Sequence, residues 1–404
     1  MKWIMDHQKG SILNGSLLVA GTSIGGGMLA LPVLTSLAGF FPSLAIYLLC
    51  WLFMACTGLL FLEVSQWIKG ESNIITMAEK TLGKGGRYFA WIVYLFLFYC
   101  LTIAYMVGCG NIVVEFSQST IPDWLGPIIF VLLFSPLILI PTAWAGRLNV
   151  WLIIGLALSY LGFVLLGFRH VDLNFLRDYN WSYSLMVLPI AFTSFAYQGI
   201  IPTLASYLHH DAKAIRTSIL IGSFIPLIAY IIWEGLILGI VPKEGAGGLI
   251  EALKNGNNAV HPLKNFIHNP AVYYLGQAFA FFALITSFLG VTLGLRDFLA
   301  DGLNIHKNIK GKMLLALLIF AFPLLISVSY PHIFLIALDY AGGFGVALLL
   351  GLLPILMTWI GRYRQRLETN QQLPGGKMSL VLLGGFVVFE LFHETKHLID
   401  RIFS

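Results

Sequence analysis

The 404-residue chain is 58% apolar and only 11% charged, with a formal net charge of +5, and its mean hydropathy is +0.84. Soluble domains carry about 25% charged residues, so a water-solvated fold is excluded. The positive charges are spread through short connections, and no basic run has the density of a nucleic-acid patch, so no nucleic-acid partner is expected.

Apolar runs long enough to span a bilayer core, about 20 residues each, recur along the whole chain. Lipid offers no partner for free backbone groups, which leaves helices or a closed barrel. The run length, and the lack of two-residue alternation, select helices. An all-α integral membrane fold is expected, with eleven spans near 11–39, 41–68, 87–116, 127–143, 147–168, 184–208, 215–241, 271–299, 312–330, 332–361 and 379–398. The first has no small-residue cleavage site after it and reads as a retained span rather than a signal peptide. The last is crowded at its end by Glu390, His393, Glu394, Lys396 and His397, and is expected to stop near Phe392 and continue as an interfacial helix.

Between the second and third spans, Ile74 to Leu82 forms a short amphipathic stretch. The connection 242–270 is the longest and carries Gly245-Ala246-Gly247-Gly248 before a helical piece, Leu249 to Lys254. Long connections of this kind serve as lids or gates, or are ordinary solvated loops. With the N-terminus in the cytoplasm, seventeen of the 24 Lys and Arg fall on the inner side and seven on the outer. Inner loops carry the excess of positive charge, so 1–10 is read as a cytoplasmic N-terminus and the C-terminus as periplasmic. Cys50, Cys56, Cys100 and Cys109 all lie inside apolar segments at no metal-site spacing, as small apolar residues.

Two spans are poor recipes for continuous helices. The first contains Ala20-Gly21-Thr22-Ser23-Ile24-Gly25-Gly26-Gly27-Met28-Leu29-Ala30-Leu31-Pro32, and each glycine costs about 1 kcal/mol against alanine in a helix interior. The sixth contains Thr193-Ser194-Phe195-Ala196-Tyr197-Gln198-Gly199-Ile200-Ile201-Pro202. Pairing the first span with the sixth makes five spans per repeat, an odd number, so the second copy sits inverted. Secondary transporters built this way bind substrate at the breaks. Half-helix N-termini present free N–H groups to a carboxylate, and C-terminal ends present carbonyls to an ammonium or a cation. An α-amino acid carries both groups. The N–H groups from Ser23 to Gly27, including Gly25 and Gly26, are candidates for the carboxylate. Carbonyls near Ala20, Gly21, Thr193, Ser194 and Phe195 are candidates for the ammonium, with Thr22, Ala196, Tyr197 and Gln198 in the same unwound segments. Tyr99, Thr102 and Tyr105 share roughly one face of the third span and are further candidates for substrate contact. The alternative for the glycines is close helix packing alone.

Ionisable groups inside spans are expensive and mark functional sites by default. Glu234 and Asp339 lead as proton carriers, with Glu63 also in a span and Glu115 near a span end; each has the alternative of a hydrogen-bonded structural carboxyl. Thr22, Thr286 and Ser287 could supply oxygens to sodium instead.

With these residues in hand, the chain resembles the hydroxy and aromatic amino acid permeases within the amino acid–polyamine–organocation grouping. The resemblance covers essentially the whole chain and is strongest in Gly21 to Pro32, in Ser194 to Pro202 with Ser206-Tyr207, and in Gly290-Val291-Thr292-Leu293-Gly294-Leu295-Arg296-Asp297-Phe298-Leu299-Ala300-Asp301. Family members often carry a histidine in the sixth-span break where this chain has Gln198. The resemblance implies a LeuT-like five-plus-five core, residues 11–168 and 184–361, followed by 362–404 as a cytoplasmic loop and eleventh helix. It implies a transporter, not an enzyme, importing tyrosine first and tryptophan second across the bacterial inner membrane, with a proton as coupling ion and no cofactor. Two other readings are an amino-acid sensor and a sodium-coupled permease. A third, remote one rests on His393-Glu394-Thr395-Lys396-His397, which matches the H-E-x-x-H of a zinc protease.

Overall fold

A computed structural model describes residues 10–68, 73–117, 120–138, 142–267, 269–306, 308–369 and 371–403. The segment 1–9 and the loop cations Lys69 and Lys307, all used in the orientation argument, lie outside the described residues. Helices account for the fold, and no strand occurs among the described residues.

The first span is two helices, α1 (Ile12–Ser23) and α2 (Gly26–Leu34), bent by 53° at their junction. Next come α3 (Phe40–Gln66) and α4 (Ile74–Phe116). Asn73 starts α4 with a capping box, accepting from the Thr76 amide at 2.9 Å and donating its own amide to Thr76 Oγ1 at 2.9 Å. Gly83, at φ +74°, kinks α4 and separates the expected amphipathic stretch from the third span. The fourth expected span is represented by α5 (Leu125–Phe134) and a 3₁₀ turn, Ser135–Ile138. Residues 139–141 of that span lie outside the described residues, and α6 (Thr142–Gly167) follows.

The sixth span is again divided, into α7 (Leu188–Ser194) and α8 (Ile201–Tyr207). Each half carries proline in its first turn, Pro189 and Pro202, where a missing N–H costs nothing. After α9 (Ala212–Ile240) a short helix, α10 (Leu249–Lys254), forms as expected, and then α11 (Pro270–Gly302) and α12 (Ile309–Ser329). The tenth span opens as α13 (Phe334–Tyr340) and widens into a π-helix, Ala341–Leu352. It closes as α14 (Leu353–Tyr363), and α15 (Gly376–Phe403) ends the chain.

Nine helices of the described residues are long and apolar enough to cross a membrane, ten if α1 and α2 count as one span. The difference from the expected eleven lies in the fourth span, whose described part, α5, is too short to enter that count. The last helix runs unbroken to Phe403, with Glu390 and Glu394 buried against the bundle. Arg296 and Asp297 lie inside α11, within the expected eighth span, with Arg296 only 4% exposed.

The outward faces are apolar, with Trp151, Leu158 and Leu165 on α6 and Leu317 and Leu325 on α12 exposed. On a chain of such helices they form the face that lipid covers. The connection 242–267 is folded onto the bundle rather than solvated: Ala259, Val260 and Leu263 are fully buried, and the Ala259 amide donates to the Leu29 carbonyl of α2 at 2.9 Å. His261 Nδ1 meets Glu115 Oε1, and Gln277 Nε2 donates to the other oxygen of that carboxylate at 2.6 Å. All four cysteines are free.

Candidate functional site: two interrupted helices bridged by a tyrosine

At the first break the Ile24 amide closes α1 on the Ala20 carbonyl at 3.0 Å. The chain then passes through extended Ile24 and Gly25 and restarts at Gly26. The Gly26 amide, the first of α2, donates to Ser287 Oγ of α11 at 3.0 Å. A Cβ on Gly26 would sit 2.5 Å from the Tyr105 ring, and one on Gly27 would sit 2.9 Å from Ser194 Oγ and 3.3 Å from Ser194 Cα. Glycine is required at both positions because the backbone of α2 lies directly against Tyr105 and the end of α7.

At the second break α7 stops at Ser194, Phe195 to Tyr197 leave the helix, and a 3₁₀ turn from Gln198 to Ile200 leads into α8. The two breaks meet on α9. The Tyr230 hydroxyl lies 2.7 Å from the Ser23 carbonyl and 2.7 Å from the Ser194 carbonyl. It has one proton for two acceptors, so neither carbonyl is fully satisfied. The side-chain hydroxyls of Ser23 and Ser194 are buried and make no hydrogen bond. Two C-terminal helix ends, two spare hydroxyls and the N-terminus of α2 therefore converge on one buried point. The carbonyl ends suit a cation and the N-terminus an anion.

The other candidates from the sequence divide. Phe195 is buried edge-on to Tyr230, with ring centroids 5.0 Å apart, and lies at the junction. Ala20 is buried with its carbonyl engaged by Ile24, whereas Gly21 and Thr22 are exposed, and Thr22 Oγ1 returns to the Leu18 carbonyl of its own helix at 2.8 Å. Thr193 ties α7 to α13, donating to the Leu338 carbonyl at 2.8 Å. Ala196 is half-buried. Tyr197 and Gln198 turn to α3: Tyr197 donates to the Met54 carbonyl at 3.1 Å, and Gln198 Nε2 donates to the same carbonyl at 3.2 Å and to Thr57 Oγ1 at 3.0 Å. These last two fasten the unwound segment.

On α4, Tyr99 donates to the Leu318 carbonyl of α12 at 3.0 Å, and Thr102 to Phe98 of its own helix at 2.7 Å. Steps of three residues drift about 60° around a helix, and Tyr105, the third of the series, is the one that reaches the break. Thr286 bonds back to Phe282 at 2.8 Å while Ser287 faces Gly26.

The carboxyls also separate by partner. Glu234 is 1% exposed and lies one turn beyond Tyr230 on α9. It accepts from Tyr47 at 2.8 Å and from Thr35, the residue that caps α2. All its described partners are hydroxyls. Glu63 instead holds Arg362 of α14 in a two-pronged ion pair, both contacts at 2.5 Å, and accepts the Leu373 amide at 3.3 Å. Asp339 of α13 faces Glu394 and His397 of α15. Sequence reasoning missed Tyr230 and Arg362. The spacing of Tyr230 to Glu234, i to i+4 on one helix face, was the available signal for the first.

A multi-pass bundle of apolar helices, two of them interrupted and bridged at a buried polar junction, is the architecture of a membrane permease. The sequence bears this out: the tryptophan/tyrosine permease family model matches residues 8–393, and the chain belongs to that family. It is 31% identical to the tyrosine-specific transport system 1 of Haemophilus influenzae, over 92% of this chain and 93% of that one. It is also 31% identical to a tryptophan-specific transport protein of Pseudomonas aeruginosa, over 88% and 87%, and 30% identical to a low affinity tryptophan permease of Escherichia coli, over 83% and 84%. The chain is thus a transporter rather than an enzyme.

Proposed function

We propose that the chain imports an aromatic amino acid, tyrosine first and tryptophan second, together with a proton across a bacterial inner membrane. The observation that carries this reading is the Tyr230 hydroxyl shared between the Ser23 and Ser194 carbonyls. A substrate ammonium would replace that hydroxyl between the two carbonyls, with the idle hydroxyls of Ser23 and Ser194 beside it. The carboxylate would take the N-terminal amides of α2, from Gly26 onward, displacing Ser287. Tyr105 and Phe195, which flank the junction, would meet the aromatic ring.

Glu234 is our proposed proton carrier. It touches the end of α2 through Thr35 and follows Tyr230 by one turn, so a change in its charge is felt at both ends of that half-helix. The ion pair of Glu63 with Arg362 favours a structural role for Glu63. In this reading the spans form the five-plus-five inverted repeat, 11–168 and 184–361, with the N-terminus cytoplasmic and 362–404 appended, ending periplasmic. The folded connection 242–267 then closes the outer side, held by His261 and Gln277 on Glu115.

Uptake of labelled tyrosine and tryptophan into proteoliposomes, with the proton and sodium gradients imposed separately, tests the proposal. Accumulation driven by an inward proton gradient is expected. Accumulation that needs sodium alone would replace the coupling ion, and no uptake of either amino acid would overturn the substrate assignment.

A further inference from the structure

The run His393-Glu394-Thr395-Lys396-His397 has the spacing at which a zinc protease uses two histidines as ligands and the glutamate as base. The fold groups these residues differently. Glu394 and His397, three apart on one face of α15, meet Asp339 of α13. A carboxylate oxygen from each acid and an imidazole nitrogen lie within 4.8 Å of one another, and His393 is not in that group. The two-histidine protease arrangement is therefore replaced by a Glu-x-x-His pair with a carboxylate from the facing helix, a donor set that helix bundles use to hold metal ions.

Three further observations point to a ligand there. Asp339, Glu394, His397 and His393 line one cavity of about 280 Å³, together with Leu34, Lys254 and His332 among others. His393 Nδ1 is buried there without a hydrogen-bond partner. One turn earlier on α15, Glu390 is 0% exposed, and neither of its carboxylate oxygens is hydrogen-bonded. The approach of α15 is built in: a Cβ on Gly343 would sit 2.7 Å from Glu394 Cγ, so only glycine in the π-helix lets that carboxylate reach Asp339.

We infer that Asp339, Glu394 and His397 form a binding site for a divalent transition-metal ion, Zn²⁺ foremost, which ties the last helix to the tenth span. Two carboxylates and a neutral imidazole balance a charge of two. Zinc takes such oxygen and nitrogen ligands at about 2.0–2.2 Å in a tetrahedron. Neighbouring ligands on that tetrahedron stand about 3.4 Å apart, so modest side-chain rotations close the site. A fourth position is left for His393 or a water. The inference does not rest on the transport reading.

The test uses the full, tag-free chain in detergent micelles, stripped with chelator and titrated with zinc chloride by calorimetry. One zinc per chain is expected. His397→Gln and Asp339→Asn should each weaken binding at least ten-fold. A His209→Asn/His210→Asn double variant, which alters exposed histidines at positive φ where asparagine is at ease, should bind as the parent does. Zinc should raise the unfolding temperature of the parent and not that of His397→Gln. X-ray absorption of the zinc-loaded parent needs no variant to fold and should show imidazole and oxygen donors near 2.0–2.1 Å. Absent stoichiometric binding, unchanged affinity in His397→Gln, or a shell without imidazole would each overturn the site.

Discussion

Glu63 and Glu234 are both buried acids on membrane helices, at 0% and 1% exposure, yet they are built for different work. Glu63 faces a guanidinium that fills both of its oxygens, and the pair joins α3 to α14. Glu234 faces two hydroxyls, Thr35 and Tyr47. A hydroxyl can donate to a carboxylate or accept from a carboxylic acid, so that pocket can satisfy both protonation states. Burial alone marks an acid as costly. The chemistry of its partners decides whether that cost holds the fold together or can serve proton transfer.

The strongest way to break this comparison is Arg362→Ala. It leaves the Glu63 charge buried without its partner, and losing one member of a buried pair costs about 3–5 kcal/mol. Thermal unfolding in detergent should show a large loss of stability, and a Tm close to that of the parent would mean that the pair does not hold α3 to α14. Next in size, Gly26→Leu should abolish uptake while the protein still inserts, because a side chain there meets the Tyr105 ring. Normal uptake would remove the first break from the site.

Glu234→Gln should keep the fold, since an amide can bond both hydroxyls, and should cut proton-driven accumulation about ten-fold or more while exchange across the membrane persists. Accumulation that still follows the imposed proton gradient would move the proton elsewhere. Tyr230→Phe removes the bridging hydroxyl. With a hydrogen bond to a charged group worth about 1.5–3 kcal/mol, the KM for tyrosine should shift by about ten-fold or more, downward if the hydroxyl only competes with the ammonium and upward if it stays to orient the site. An unchanged KM would count against the junction. The smallest effect is expected for Tyr47→Phe, which removes one neutral donor to Glu234 at about 1 kcal/mol and should alter the pH profile of uptake without abolishing it.

Particular residues show how far the sequence could be read. Glycine and proline at 25–32 and 199–202 announced both breaks, because their backbone preferences are local. The stretch 74–82 and the piece 249–254 were legible for the same reason. The partners were not. Gln198 lies inside a break yet bonds Met54 and Thr57, and Tyr230 lies 36 residues from Ser194 and 207 from Ser23 in the chain. The histidine motif at the C-terminus suggested a metal by spacing alone, but its acidic neighbour, Asp339, is not visible in that spacing.

The sequence by itself determined the environment, the helical class, the places where helices must come apart and the family to which the chain belongs. These follow from composition, run length and local motifs, each carried by residues adjacent along the chain. Tertiary structure alone decided that the two breaks meet under Tyr230, that Glu63 and not Glu234 has a cation, and that α15 brings Glu394 to Asp339. The reason is physical: hydrogen bonds and ion pairs between distant segments depend on which helix faces are packed together, and the apolar surface that drives such packing is nearly uniform along these spans.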